Sequence, residues 1–160
     1  MIADHIVTVT VENRFGVLAR IASLFSSRGF NIRSLSVAET EDPSISRMTI
    51  VVSADDKILE QIKKQLNKLI DTIKIQELIE GKYIDRELLL LKMQSDPKKR
   101  SDLFQIVEVF NGKIVDMTSK SITIEVSATS DILENLLQVL SPFGIIETVR
   151  GGKIAITKDV

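Results

Sequence analysis

The residues best placed to do chemistry lie within VENRFGVLARIASLFSSRGFNI, from Val11 to Ile32. Asn13 and Gly16 stand just ahead of an apolar helical pattern, and Gly29 and Asn31 stand just behind it. A helix N-terminus presents unpaired N–H groups and a partial positive charge. A glycine there lets a ligand approach the backbone closely, and the matching ligand fragment is a carboxylate. Asn13 and Asn31 offer amide donors and acceptors without net charge. With the aliphatic neighbours Val17, Leu18 and Ile32, they describe a site for an amino-acid zwitterion with an apolar side chain. The same residues also suit an ordinary helix: Asn13 accepting an N–H, Gly16 easing a turn, Gly29 as C-cap, Asn31 opening a strand. Spacing alone does not separate the two roles, because capping and carboxylate binding use the same backbone groups.

The remaining reactive inventory is thin: one His, one Tyr, no Cys and no Trp. No nucleophile–base pair and no metal-ligand spacing is present, which argues against an enzyme. His5 has no second ligand at a metal-binding spacing and reads as a surface or dimer-facing residue. Glu39, Glu41 and Asp42 read as a solvated loop tip. Lys98-Lys99-Arg100 falls in the first turn of a helix, where the dipole slightly disfavours cations. It reads as a solvated face, with partner contact as the alternative. Lys63 and Lys64 beside Glu60 read as helix-surface charge pairing.

The elements that must position these residues follow from hydrophobic period. Ile6–Val11 alternates, with Val7, Val9 and Val11 on one face, and predicts a half-buried strand. From Val17 the period becomes helical through Ile21, Leu24 and Phe25. Asn31–Ala38 predicts a strand with Leu35 and Val37 on one face. Pro43 places a turn at Glu39–Ser44. Arg47–Ser53 predicts a strand, Asp55 caps a helix carrying Ile58, Leu59, Ile62 and Leu66, and Asp71–Ile79 closes the unit. Strand, helix, strand, strand, helix, strand is the ferredoxin-like order. Both helices then pack on one sheet face, leaving the face with Thr8, Thr10, Thr49 and Val51 open to a partner.

The second half repeats the order. Glu87–Met93 is strand-like; Asp96-Pro97 starts a helix that Asn111-Gly112 ends. Lys113–Met117 and Ser121–Val126 form a hairpin. Ser130 or Asp131 caps a helix that Pro142 stops, and Phe143–Val149 is the last long strand. Ile154 and Ile156 suggest a short return strand. The expected architecture is α+β, two ferredoxin-like βαββαβ domains in tandem, 1–80 and 81–160, divided near Gly81.

Composition bounds the function. Among 160 residues, 44% are hydrophobic and 27% charged, with a net charge of −1. That balance, and strands poor in stacking aromatics, argue against an RNA-binding module. The start, MIADHIVTVT, lacks a basic segment and a continuous apolar run, so no signal peptide is expected. No run approaches membrane-spanning length, and absence of Cys suits the cytoplasm.

The run Asn13-x-x-Gly16-x-Leu18, with Gly29-x-Asn31-Ile32 behind the helix, resembles the ACT domain, a ligand-sensing module. The continuation RGFNIRSLSVAETEDPSISRMTI is similar to the regulatory small subunit of acetohydroxyacid synthase, also called acetolactate synthase. The resemblance spans Ile6 to about Ile79, and extends weakly into the second half through Gly112-Lys113-Ile114-Val115-Asp116. It implies a non-catalytic subunit with no cofactor of its own. The implied partner is a catalytic large subunit carrying thiamine diphosphate, FAD and Mg²⁺. It implies activation of that partner and feedback inhibition by a branched-chain amino acid, usually valine, bound between the ACT domains of a homodimer. Carried over by motif position, the effector-binding residues are Asn13, Gly16, Val17, Leu18, Asn31 and Ile32, with Ala38 as a wall. Ala19 departs from the family, where a small hydroxyl residue is common. The rival reading is a free-standing ACT-domain sensor acting on another partner.

Overall fold

Alternating Val7, Val9 and Val11 form the middle of β1 (Ala3–Glu12), and the switch to helical spacing at Val17 starts α1 (Val17–Arg28). The structure is a computed structural model and describes residues 1–159. Gly29 ends α1 at φ 67°, donating its N–H to the Ser26 carbonyl, the left-handed cap that glycine adopts without a steric cost. β2 (Asn31–Glu39), β3 (Ile45–Ala54), α2 (Asp56–Asn67) and β4 (Thr72–Leu78) complete the first repeat. Asp55 caps α2 by accepting the Ile58 N–H at 2.8 Å. The antiparallel sheet runs β2-β3-β1-β4. Val7, Val9, Met48, Ile50 and Val52 pack against Ile21 and Phe25 of α1 and Leu59, Ile62 and Leu66 of α2.

The second repeat comprises β5 (Tyr83–Gln94), α3 (Arg100–Val109), β6 (Lys113–Met117), β7 (Ser121–Ala128), α4 (Ser130–Leu140) and β8 (Ile145–Arg150). Its sheet path, β6-β7-β5-β8, reproduces the first. Leu89, Leu91, Met93, Ile122, Ile124 and Val126 meet Leu103, Val107, Leu133, Leu136 and Leu140. At one end of this layer Glu87, 5% exposed, is gripped by Arg150 through Nε at 3.0 Å and Nη2 at 2.5 Å. Arg150 also donates to Glu134. Both carboxylates hold the guanidinium in its charged form and raise its pKa, the Glu87 bond contributing most. The fold is thus α+β with two βαββαβ repeats.

The chain divides into two compact units, Met1–Asp85 together with the segment from Lys153 onward, and Arg86–Gly152. Hydrophobic period places the division near Gly81 and leaves the C-terminal segment in the second half. In the structure that segment forms β9 (Ile154–Thr157), which pairs with β5. Ala155 packs with Ile6, Val51, Leu78 and Tyr83, and Arg47 donates to the Ala155 carbonyl at 3.1 Å. The sheet face expected to lie open to a partner is therefore occupied in part by the chain's own tail. The cause is local: Ile6, Val51 and Leu78 on that face need an apolar cover.

Two caps differ from expectation. Asp96 does not cap α3; its carboxylate accepts the Lys98 N–H at 3.0 Å in a turn ahead of the helix, which starts only at Arg100. Thr129, rather than Ser130 or Asp131, stands at the start of α4, and its side chain makes no capping bond.

Candidate effector site

Three connections meet at one end of the first sheet: the loop from β1 to α1, the turn between β2 and β3, and the turn between α2 and β4. Backbone bonds lock them together. Asn13 N–H donates to the Ser44 carbonyl at 2.7 Å, and Glu12 N–H to the Asp71 carbonyl at 2.8 Å. Asn13 adds its side-chain amide, which donates to Glu39 Oε1 at 3.0 Å and to the Pro43 carbonyl at 2.9 Å. The turn has its own lock. Asp42 accepts Ser44 Oγ–H at 2.7 Å and Ser44 N–H at 2.9 Å, and these bonds hold its pKa below the ordinary carboxyl value.

Beside these loops lies an open cleft of about 630 Å³, lined by Asn13, Gly16, Val17, Leu18, Ala19 and Ala22 from the β1–α1 loop and α1. Val37 and Met48 contribute from β2 and β3. Gly16 is the residue before the helix and sits at φ 82° with no side-chain cap. Asn13 therefore does not cap α1; its amide is committed to Glu39 and Pro43, because those acceptors lie across the loop. The Val17 N–H reaches the Arg14 carbonyl at 3.3 Å, and the Gly16 carbonyl takes the Arg20 N–H at 3.0 Å. Among the described residues, no loop carbonyl takes the N–H groups of Leu18 and Ala19, and no donor reaches Asn13 Oδ1. The cleft thus combines open backbone donors at a helix start, one open amide acceptor, an aliphatic wall, and the Glu12–Arg14 ion pair at 2.9 Å.

Of the residues named from the sequence, Asn13, Gly16, Val17 and Leu18 come together here. Asn31, Ile32 and Ala38 do not line the cleft of a single chain. Asn31 pairs with Ser53 and Val37 with Met48, so Asn31 stands roughly 20 Å away along the strand at about 3.3 Å per residue. Ile32 packs against the first unit's core. Ala38 pairs with Arg47 and faces away from the helices, and its neighbour Val37 supplies the wall instead. Met48 and Ala22 were not singled out as site residues by sequence reasoning. Their signal was present, since Met48 alternates with Ile50 and Ala22 follows Ala19 at helical spacing.

Arg20 is a further site neighbour that neither residue type nor spacing marks in the sequence. It donates Nε and Nη2 to Asp71 Oδ2 at 3.1 and 2.7 Å. This ties α1 to the α2–β4 turn next to Gly16. Among the described residues no group of three or more His, Cys, Asp or Glu could hold a metal ion, and no helix is long and apolar enough to cross a membrane.

A split βαββαβ unit with a donor-lined cleft at the start of its first helix defines an ACT domain, and residues 7–74 match the family model described as the AHAS small subunit-like ACT domain. Residues 86–159 match the model described as the small subunit of acetolactate synthase. The chain is 49% identical to the acetolactate synthase small subunit of Mycolicibacterium smegmatis, over 96% of this chain and 91% of that one. It is 44% identical to the Aquifex aeolicus acetolactate synthase small subunit, over 99% and 83%. The crystal structure of the small subunit from Thermotoga maritima superposes with a TM-score of 0.91 at 36% identity, covering 99% of each chain. The chain belongs to the acetolactate synthase small subunit family.

Proposed function

We propose that this chain is a non-catalytic regulatory subunit that binds a branched-chain amino acid, valine first among them, and transmits its presence to an acetolactate synthase catalytic subunit. The observation that carries the reading is the complementarity of the cleft to a zwitterion. Open N–H donors at Leu18 and Ala19 suit a carboxylate, Asn13 Oδ1 suits an ammonium, and Val17, Leu18, Val37 and Met48 suit an aliphatic side chain. An aliphatic amino acid presents those three features in one small molecule.

The cleft is open on one side, and Asn31 and Ile32 are remote from it within one chain. In a homodimer a second copy supplies them and closes the site, in keeping with the family resemblance of the motif that contains them. Thiamine diphosphate, FAD and Mg²⁺ then belong to the catalytic partner, which performs the chemistry in the cytoplasm.

Regulation follows from linkage. If valine binds one arrangement of the paired ACT domains more tightly, and the catalytic partner also prefers one arrangement, about 1–3 kcal/mol of coupling suffices, and it acts in both directions. Calorimetric titration with valine, leucine and isoleucine, with lysine as control, tests the reading. Saturable binding of one branched-chain amino acid, together with a change in the synthase rate on adding this chain, is the expected result. If no branched-chain amino acid binds even with the catalytic subunit present, the effector reading is wrong. If one binds but the synthase does not respond, the chain is a sensor for another partner.

A further inference from the structure

We propose that Phe15 and Ile70 are the anchors by which this chain grips the acetolactate synthase catalytic subunit. The proposal rests on the regulatory reading above. Phe15 is 102% exposed and Ile70 91%, so each large apolar side chain stands in water much as it would in an unfolded chain. Each sits at the apex of a turn whose flanks are fixed. The Arg14 carbonyl accepts the Val17 N–H at 3.3 Å, and Gly16 takes φ 82° and ψ 0°. Those are the third-residue values of a type II turn, with Phe15 second. The Leu69 carbonyl accepts the Thr72 N–H at 3.1 Å around Ile70, while Leu69 packs on the core and Asp71 is buried. Two bonds cross-link the turns: Glu12 N–H to the Asp71 carbonyl at 2.8 Å, and Arg20 to the Asp71 carboxylate at 2.7 Å. Phe15 is three residues from Glu12 and Ile70 one from Asp71, so the apices are at most about 20 Å apart, within one standard interface.

The fold does not ask for these side chains. The second unit repeats the same locks, Gln94 N–H to the Gly144 carbonyl at 2.8 Å and Ser95 N–H to the Lys120 carbonyl at 3.0 Å. There the loop ahead of the helix is Ser95-Asp96-Pro97-Lys98-Lys99, with no aromatic or large aliphatic side chain. Phe143, in the matching turn, packs on the core. A bare apolar side chain adds nothing to stability. Held on a fixed turn it loses little freedom on docking, and a few such buried anchors carry most of an interface's energy.

The sheet order selects the partner. In the homodimer proposed above, the second copy reaches the cleft with Asn31 and Ile32, both on β2. Ile70 precedes β4, and β2 and β4 are opposite edges of the β2-β3-β1-β4 sheet. A second copy docked along β2 therefore leaves Ile70 free for the catalytic subunit. Lys68 adds an exposed cation two residues from Ile70, so the matching surface is an apolar socket with an acidic group at its rim. Phe15 and Gly16 share one turn, so an effector lodged against Gly16 bears on an anchor.

The test titrates the full chain into the catalytic subunit and follows the synthase rate. Phe15→Ser and Ile70→Ser are each expected to raise the concentration for half-maximal stimulation about tenfold, and the double variant more. Ile70→Ser is expected to leave valine binding by the chain alone within about twofold of wild type. A double variant that stimulates as wild type does overturns the proposal. A loss accompanied by dissociation of the homodimer in sedimentation makes the patch a self-contact and overturns it too. Wild type that stimulates no synthase defeats the regulatory reading, and this one with it; wild type that stimulates but binds no valine defeats the effector reading alone. Should the variants fail to fold, hydrogen exchange on wild type decides. Adding the catalytic subunit is expected to slow the amides of residues 14–16 and 69–71, and unchanged exchange at both turns overturns the proposal.

Discussion

Asn13 and Glu39 are hydrogen-bonded side chain to side chain at 3.0 Å across 26 positions of sequence, joining the loop ahead of α1 to the end of β2. With the Pro43 bond this uses both amide hydrogens of Asn13 and leaves Oδ1 without a donor among the described residues. Replacing Asn13 by Ala removes two exposed bonds, so the cost in stability is about 0.5–1 kcal/mol. The expected loss in valine affinity is larger, about tenfold, or ~1.4 kcal/mol. Calorimetry beside a thermal melt separates the two. A variant that melts early yet binds valine normally would show that Asn13 serves only the loop.

Gly16→Asp places a carboxylate where the effector's own carboxylate is expected. At φ 82° an L-residue is strained, by about 1 kcal/mol, though Asp tolerates this region better than most. The added Cβ meets only the end of the flexible Arg20 side chain. The expected outcome is a folded subunit that still stimulates the synthase but no longer responds to valine. Synthase assays with and without valine decide it, and a normal valine response would remove Gly16 from the site.

Asp42 offers a pH test of the turn that borders the cleft. Its folded-state pKa is lowered by the Ser44 bonds, so the ordering they provide is present above the unfolded carboxyl value and is lost as pH falls through the folded one. NMR titration should show Asp42 and the Ser44 amide moving together, with a midpoint below that of an ordinary Asp. Asp42→Asn should abolish the acid transition at Ser44. A Ser44 amide that titrates unchanged in that variant would refute the link.

Arg150→Met should destabilise the second unit by about 2–3 kcal/mol, since it leaves the buried Glu87 carboxylate without its partner. Double replacement with Glu87→Leu should recover much of that loss, as apolar substitutes for buried pairs often do. Chemical denaturation of the single and double variants measures both steps. Equal stability of the two would mean that Glu87 carries no desolvation cost.

Most of the scaffold was legible from period alone. The alternation of β1 and β3, the helical stripe of α1 and the left-handed Gly29 each depend on residues within one element. The site was legible only in part. Asn13, Gly16, Val17 and Leu18 lie in one continuous segment and arrive together whatever the tertiary structure does. Asn31 and Ile32 are near Asn13 in sequence across one helix, but that helix carries the chain to the opposite end of β2. Ala38 came from the resemblance, although the alternation with Leu35 already placed Val37 on the helix side. The pairing of the exposed Arg20 with Asp71 is not legible in the sequence, because Asp71 is brought in by the second helix.

Removing the segment from Lys153 onward should weaken the first unit rather than the second. Ile6, Val51 and Leu78 lose their Ala155 cover, a cost of about 2–4 kcal/mol by the usual value of apolar burial. Hydrogen exchange should accelerate in β1, β3 and β4 and remain unchanged in β7. Acceleration confined to the second unit would contradict the placement of β9.

That placement also sets an order of events during synthesis. Ribosomes deliver the chain from the N-terminus, and domains generally mature as they emerge. Here the first unit waits for β9 until all of Arg86–Gly152 has been made. The nascent first unit therefore spends that interval with Ile6, Val51 and Leu78 short of their cover, and a chaperone that recognises aliphatic strand faces would find its binding site there.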